Sequence, residues 1–255
     1  GSCTVWLILA LRAVKLRRRY GGNIVAIPAF SWISDLHAVT QNGYRPLFLD
    51  VDIETWNITE VPYVADAVIP VHWGGNVCEV KADVPVIYDM AHSLGASIRD
   101  YGTVSVFSLH ATKNVPACEG GVIVTNDREV SRRIVELRDR ISRLSEVHAA
   151  IALTYLEKLP ETVRRKREIF EYYRTHLPFK FQRVDLSHSY SMCGILCEDR
   201  DDVLKRIEGK VDTRGYNPLA KGFRNSDYLS SHIIILPSYP DVNEKAVVKW
   251  IKRKL

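Results

Sequence analysis

The sequence predicts an α/β fold in which helices sandwich a mostly parallel central sheet, followed by a smaller C-terminal α+β domain. Over the first two-thirds of the chain, short apolar runs alternate with helical patterns. Several of these runs are nearly continuous and β-branched, as expected for strands that are covered on both faces. From Arg128 onward the pattern changes to long helical stretches. We therefore expect a large domain over residues 1–155 and a small domain over residues 156–255, a length that allows a sizeable core.

The chain opens with the apolar stretch CTVWLILALRAV, which predicts a buried helix. It is too short to span a bilayer, which takes roughly 20 apolar residues, so we expect no membrane association. The basic cluster KLRRRY follows, where the helix dipole favours cations. A nucleic-acid patch is the alternative interpretation of this cluster. The net charge of +5 is too small by itself to indicate nucleic-acid binding, although it suits a phosphorylated ligand.

Apolar runs predict the strands of the large domain. In chain order they are NIVAIPAF, PLFLDVD, DAVIPVHW, VPVIYDM, VSVFSLH and GVIVTN. Between the first two runs, SWISDLHAVTQNG predicts a helix that Ser31 or Ser34 could cap and that ends before Gly43. This succession of strand, helix and strand is typical of a parallel sheet.

The C-terminal third combines long helices with short strands. Two long helical stretches span residues 128–159 and 161–177, with Pro160 and Pro178 predicted to break them. The elements predicted after them are a strand in SMCGILCED, a helix in RDDVLKRIEG, a strand in HIIILPSY and a helix in NEKAVVKWIKRKL.

Three polar residues follow the predicted strands. Asp89 ends VPVIYD, Ser108 lies near the end of VSVFS, and Lys113 lies just beyond it. Taken singly, Asp89 and Ser108 are ordinary turn or cap residues and Lys113 an ordinary surface lysine. In open α/β sheets, however, ligands bind beyond the carboxyl ends of the strands. Together, an amine for a Schiff base and a carboxylate for a pyridine nitrogen predict a site for pyridoxal 5'-phosphate (PLP).

The sequence also offers candidate residues to bind the phosphate of this cofactor and to stack on its ring. Thr4 opens the first predicted helix, whose first N–H groups are free to bind an anion, and Ser108 offers a hydroxyl. Trp32 provides a flat side chain that could stack on a ring. The sequence does not favour a Rossmann-type dehydrogenase, because no GxGxxG follows the first strand. We expect no metal site, because no His, Cys and Asp cluster has zinc spacing.

Several stretches match one family pattern. They are SCTVWLILAL, IPAFSWISDLHAV, PLFLDVDIETWNI, VIYDMAHSLGA, FSLHATKNVPACEGGVIVTND, VHAAIALTYLEKL and ILPSYPDVNE. This pattern resembles that of the DegT/StrS family of PLP-dependent nucleotide-sugar aminotransferases, which have the fold-type-I, aspartate aminotransferase-like architecture. The resemblance covers most of the chain, and the segment around Lys113 is its most specific part.

The resemblance implies roles around the cofactor ring. Lys113 forms the Schiff base and later shuttles a proton, Asp89 binds the pyridinium nitrogen, and Trp32 stacks on the ring. His92 sits beside the cofactor in such proteins, although an ordinary helix histidine is the alternative. Some relatives carry histidine in place of this lysine and are dehydratases, so Lys113 favours transamination.

The resemblance also implies phosphate and substrate contacts. Ser108, Thr4 and the backbone around Cys3 bind the phosphate. His110 and Asn114 flank the lysine and could reach the substrate. The reaction implied is transfer of an amino group from an amino acid, by analogy glutamate, to a nucleotide-linked ketosugar. A non-catalytic or regulatory PLP-binding protein of the same fold is the alternative.

The resemblance further implies a homodimer, since the family's sites lie at the subunit interface. The five cysteines have no CxxC spacing, which is typical of reduced thiols in a cytoplasmic protein. Relative to the family, the chain is shorter around RISR and around RGYNPLAKGF. Either the protein is a minimal version of the family or its sequence lacks segments.

Overall fold

The computed structural model describes residues 2–16, 22–207 and 215–253. Its helices are α1 Cys3–Ala13, α2 Ile33–Thr40, α3 Arg128–Ile141, α4 Glu146–Glu157, α5 Leu159–His176, α6 Arg200–Ile207, α7 Arg224–His232 and α8 Glu244–Lys252. Its strands are β1 Ile24–Pro28, β2 Arg45–Leu49, β3 Ala67–Val68, β4 Ile87–Asp89, β5 Val104–Ser108, β6 Gly121–Val124, β7 Lys180–Phe181, β8 Cys193–Leu196 and β9 Ile233–Leu236. Most of the KLRRRY cluster lies outside the described residues.

The strands of the large domain form a mostly parallel sheet. Strand β1 pairs in parallel with β2 and β3, while β5 pairs in parallel with β4 and antiparallel with β6. Isolated parallel bridges, Val68 to Val86 and Val71 to Asp89, join the two groups of strands. The order is therefore β2-β1-β3-β4-β5-β6, with β6 as the antiparallel strand. This arrangement confirms the predicted α/β class and all six predicted strand segments.

Apolar side chains cover both faces of this sheet. On one face, α1 packs Leu7 and Leu11 against a cluster that includes Val25 and Val104. On the other face, a second cluster is built around Trp73 and several further large side chains. Burial on both sides explains why the inner strands, β1, β3, β4 and β5, appear in the sequence as continuous apolar runs. The predicted buried helix is confirmed as α1, and no helix in the described part of the chain is long and apolar enough to cross a membrane.

Helix α2 begins differently from the prediction. Its N-cap is Trp32, whose side chain makes no capping hydrogen bond. The predicted caps bond elsewhere: the Ser31 hydroxyl donates to the Asp35 carboxyl group, and Ser34 Oγ lies 2.7 Å from Thr4 Oγ1. The Ser31 bond is local to the start of α2, whereas the Ser34 contact reaches α1 and belongs to the tertiary structure.

The C-terminal part has its own antiparallel sheet, β7-β8-β9. Its core includes Phe170 and Tyr173 of α5 with Ile195 and Ile234 of the sheet. Pro160 lies in the first turn of α5, where proline is tolerated, so it marks a helix start. The long stretch before it is interrupted again between α3 and α4. The predicted domain boundary between residues 155 and 156 falls within α4 and stays a prediction.

Two elements were not predicted. Helix α7 has the sequence RNSDYLSSH, whose serines, asparagine and aspartate are modest helix formers. Strand β7 has only two residues, too few for a period-2 pattern. Both form because tertiary contacts supply what local propensity does not.

A close contact joins the two sheets. Trp56, which is fully buried beside the large sheet, packs directly on Gly194 of β8. A Cβ atom at Gly194 would lie 2.3 Å from Cζ3 of the Trp56 ring. The indole is enclosed and cannot move without disturbing the surrounding core. Glycine is therefore required at position 194 by close approach.

We predict that Gly194→Ala lowers the free energy of unfolding by about 1–3 kcal/mol, because the buried indole must shift. Urea denaturation measures this change. Gly215→Ala is the control, since its added Cβ would lie 3.5 Å from the flexible Arg200 side chain. This control should change stability by less than about 1 kcal/mol. Equal losses in both variants would contradict the proposed contact.

Candidate active site

Three predicted residues lie together at the carboxyl edge of the large sheet. Asp89 ends β4 and Ser108 ends the adjacent strand β5. The chain then turns, with the N–H of Lys113 donating to the carbonyl oxygen of His110 at 2.9 Å. The ammonium group of Lys113 comes close enough to Asp89 to favour its ionised form. Adjacent parallel strands therefore bring an amine and a carboxyl group to one place.

The carboxyl group of Asp89 is buried, with 4% of the residue exposed. Its Oδ1 accepts a hydrogen bond from the N–H of Ala91 at 2.8 Å. Burial raises the pKa of Asp89, while the Ala91 N–H and the positive charge of Lys113 oppose that rise. A buried carboxylate with few partners is well suited to bind a cationic group.

The start of α1 faces the same place. Burial raises the pKa of the Cys3 thiol well above its usual value, and Asp89 adds to the rise while Lys113 and a hydrogen bond with Ser108 oppose it. These influences place the first turn of α1 beside the strand ends. That turn carries no acidic residue, and the first N–H groups of any helix lack partners within the helix. With Thr4 nearby, this helix end is able to bind an anion.

Aromatic side chains extend from the surface inward. Trp32 is 59% exposed, and its ring meets that of Tyr216 edge-on with centroids 5.8 Å apart. Tyr216 in turn lies 5.3 Å from Trp73, which lies 6.0 Å from His92. The structure thus places the predicted Trp32 at the rim of an aromatic wall. Tyr216 and Trp73 were not predicted as site residues.

The ring of His92 belongs to the interior. Its Nδ1 accepts a hydrogen bond from the N–H of Gly74 at 3.3 Å. Burial lowers the pKa of His92 well below its usual value, and the positive charges of Lys113 and Lys166 lower it further. His92 is therefore neutral at physiological pH.

A buried lysine on α5 supports the loop that carries Lys113. The Nζ atom of Lys166 donates to Asn114 Oδ1 at 2.8 Å and to the carbonyl oxygen of Ser191 at 3.3 Å. Burial, and then the charge of Lys113, lower the pKa of Lys166 to about 8. The Asn114 amide also donates to the carbonyl oxygens of Leu94 and Ser189.

The two predicted substrate contacts differ in their surroundings. Asn114 is buried and its amide nitrogen donates to the carbonyl oxygens of Leu94 and Ser189, and its substrate contact stays a prediction. We interpret it as an anchor for the Lys113 loop. His110 is exposed, with Nδ1 3.0 Å from Thr112 Oγ1 and Nε2 3.7 Å from Glu119 Oε1. Its substrate contact stays a prediction.

One further residue was missed. Asp35 on α2 is fully buried and shares a hydrogen bond with the carboxyl group of Asp89. The sequence contained a signal for it: Asp35 stands three and four residues before Ala38 and Val39, which are both buried. This helical spacing places an acidic residue on the buried face of α2. An acid in that position is unusual and indicates a polar site.

The residues present fit the predicted cofactor. Lys113 provides an amine, Asp89 a buried carboxylate that can hold a protonated ring nitrogen, and the first turn of α1 an anion site without acidic residues. The carboxylate and the anion site are complementary in charge to the two ends of PLP.

The fold and this arrangement of residues define a PLP-dependent transferase of fold type I. The chain belongs to the DegT/DnrJ/EryC1/StrS aminotransferase family, whose model matches residues 1–253. Enzymes of this family are PLP-dependent, so membership confirms the predicted class and cofactor.

Individual relatives are moderately similar. The chain is 27% identical to GDP-perosamine synthase of Escherichia coli O157:H7, over 96% of this chain and 81% of that protein. Among solved structures, PseC of Helicobacter pylori, an aminotransferase of pseudoaminic acid biosynthesis, matches with a TM-score of 0.91 at 19% identity, over 99% of this chain and 85% of PseC. GDP-4-keto-6-deoxymannose-3-dehydratase, solved with a trapped PLP-glutamate adduct, matches with a TM-score of 0.85 at 18% identity. The match covers 100% of this chain and 86% of the dehydratase chain.

We predict that Asn114→Leu lowers the free energy of unfolding by about 1–3 kcal/mol, because it leaves buried polar groups without partners. Lys166→Met removes one of those groups. The double variant should therefore lose less than the sum of the two single losses, by about 0.5–3 kcal/mol. Urea denaturation of all four proteins gives this coupling energy. Additive losses would show that the two side chains do not act as a pair.

Proposed function

We propose that this protein transfers an amino group from an amino acid, by family analogy glutamate, to a nucleotide-linked ketosugar. The observation that carries the proposal is the convergence of Lys113 and Asp89 at adjacent strand ends in a chain of the aminotransferase family. The names of two similar proteins support a nucleotide-linked substrate. Both GDP-perosamine synthase and GDP-4-keto-6-deoxymannose-3-dehydratase are named for GDP-linked sugars.

Lys113 and Asp89 have different roles in the proposed reaction. PLP, when bound, supplies an electron sink that stabilises negative charge at the carbon next to the transferred amine. We assign the covalent attachment of the cofactor to Lys113 Nζ. Once freed by a donor amine, Lys113 Nζ would take up the donor's α-proton and return a proton to the carbon at the other end of the C–N unit. The Asp89 carboxylate keeps the ring nitrogen protonated throughout.

The other predicted residues bind and orient. Thr4, Ser108 and the backbone around Cys3 would hold the phosphate, with the dipole of α1 favouring the negative charge. Trp32 would stack on the ring from its position at the rim of the site. His92, being neutral, adds no charge that would oppose the ring cation.

We further propose that the enzyme is a homodimer and works in the cytoplasm. Exposed apolar side chains lie on β6, α3 and α4, and include Val122, Val124, Val135, Val147 and Leu153. Such a surface is typical of a contact with another subunit. All five cysteines are free thiols, in keeping with a reducing compartment.

We predict that the purified protein with PLP absorbs in the near-visible range and that glutamate bleaches this band. Lys113→Ala should abolish the bleaching, because no amine remains to form the attachment or to move the proton. Absorption spectra before and after glutamate measure both effects. Lys245→Ala, which alters an exposed lysine on α8, is the matched control and should bleach normally.

Undiminished bleaching of Lys113→Ala would reject the assignment of this lysine. Cofactor binding by the unaltered protein without bleaching by any amino acid would instead support the regulatory alternative. Once the donor is known, a panel of nucleotide-linked ketosugars that restore the band identifies the acceptor.

A further inference from the structure

Two buried carboxyl groups lie side by side at the end of the large sheet. Asp35 is fully buried in the first turn of α2, and it shares a hydrogen bond with Asp89. One oxygen of Asp35, Oδ2, accepts a hydrogen bond from the Ser31 hydroxyl. The other, Oδ1, is buried and receives no hydrogen bond from a nitrogen or hydroxyl donor in the described part of the chain.

Such a pair cannot carry two negative charges. Adjacent like charges in a low-dielectric setting repel strongly, so one proton is retained between the two groups. The dipole of α2 favours an ionised Asp35, but this effect is small compared with the desolvation of a fully buried charge. A single shared proton also explains why Asp35 Oδ1 has no conventional donor, because that oxygen can itself be protonated.

The surroundings indicate which group holds the proton. Asp89 receives the Ala91 N–H and feels the positive charge of Lys113, and both favour its ionised form. Among the described residues, the donor that Asp35 receives is the Ser31 hydroxyl, a weaker stabilisation than a nearby cation. Burial, followed by the charge of Asp89, raises the pKa of Asp35 well above its usual value. The neutral member of the pair is therefore Asp35.

We infer that Asp35 is a positioning residue: it stays protonated and donates a hydrogen bond that holds the Asp89 carboxylate as the partner of the cofactor's ring nitrogen. This inference rests on the proposed function, because it gives Asp89 that role. A hydrogen bond donated to a carboxylate makes it less basic, so the proton between Asp89 and the ring nitrogen stays on the nitrogen. Ser31 then donates to Asp35 and Asp35 donates to Asp89, so that the Asp89 carboxylate accepts hydrogen bonds both from Asp35 and from the ring nitrogen.

The inference predicts that an amide can replace the acid and an alkyl group cannot. Asp35→Asn keeps a donor for Asp89 and an acceptor for Ser31 in nearly the same shape. Asp35→Leu has a similar size but neither group. We expect Asp35→Asn to bind PLP within about threefold of the unaltered protein and Asp35→Leu to bind about tenfold more weakly, as for the loss of one hydrogen bond to a charged group. Equilibrium dialysis against PLP measures both constants.

A spectroscopic signature accompanies the affinities. Infrared spectra distinguish the carbonyl stretch of a protonated carboxylic acid from that of a carboxylate. At neutral pH the unaltered protein should show a buried protonated acid whose signal is missing in Asp35→Asn. Asp66→Asn is the matched control, because Asp66 is also buried but accepts a hydrogen bond from the N–H of Ile24, away from the pair. It should keep both the signal and the PLP affinity.

The pH dependence of stability has a definite sign. The charged or titratable groups that act on the pair are Cys3 of α1 and Lys113 of the loop after β5. An unfolded chain loses the Asp35 proton near pH 3.9, whereas the folded chain retains it. The folded state therefore binds more protons above that pH, and stability falls as pH rises towards the folded pKa. Asp35→Asn removes this loss of stability. Above about pH 4, the unfolding constant of the unaltered protein should therefore rise about tenfold per pH unit relative to that of the variant, up to the folded pKa of Asp35.

These measurements separate the inference from the proposed function. The infrared and stability experiments use the full chain without a substrate and test whether Asp35 is protonated even if the protein proves not to be an aminotransferase. An unchanged infrared spectrum in Asp35→Asn would overturn the inference, as would equal PLP affinities of the Asn and Leu variants. If Asp35→Leu fails to fold, the Asn variant, the Asp66→Asn control and the infrared signal still decide the matter.

Discussion

A buried negative charge at the end of β4 is the constraint on which the site depends. Taking a carboxylate out of water costs several kcal/mol unless cations and donors compensate it. In the described part of the chain, Asp89 is compensated by the Ala91 N–H, the charge of Lys113 and the hydrogen bond with Asp35. Each comes from a different segment of the chain. The sheet, α2 and the loop after β5 thus each contribute a group that favours the ionised form of Asp89.

The C-terminal part contributes to the same arrangement. Lys166 on α5 reaches the Asn114 amide, and Asn114 immediately follows Lys113 in the chain. The Asn114 amide also holds the backbone at Leu94 and Ser189. The position of Lys113 thus depends on helix and loop segments from both halves of the protein, and on buried polar bonds that have little tolerance for loss.

Sequence patterns predicted the sheet well because its inner strands are buried on both faces and appear in the sequence as apolar runs. They also located Asp89, Ser108 and Lys113, since polar residues at consecutive strand ends must share one edge of a parallel sheet. Asp35 and Lys166 were missed because their partners are distant in sequence: Asp35 meets Asp89, and Lys166 meets Asn114. Local propensity carries no information about such pairs. For the same reason, Ser34 was predicted as a possible cap, although its hydroxyl lies against Thr4, which is distant in sequence.

The bond between Lys166 and Asn114 has a consequence for engineering and for evolution. The C-terminal part is not an interchangeable module, because it carries one half of a buried polar pair whose other half adjoins Lys113. A chimera that borrows α5 from a related enzyme must keep a hydrogen-bond donor at position 166 that reaches Asn114. Recombination between the two halves of the chain therefore has to preserve this buried hydrogen bond, even where the backbones superimpose.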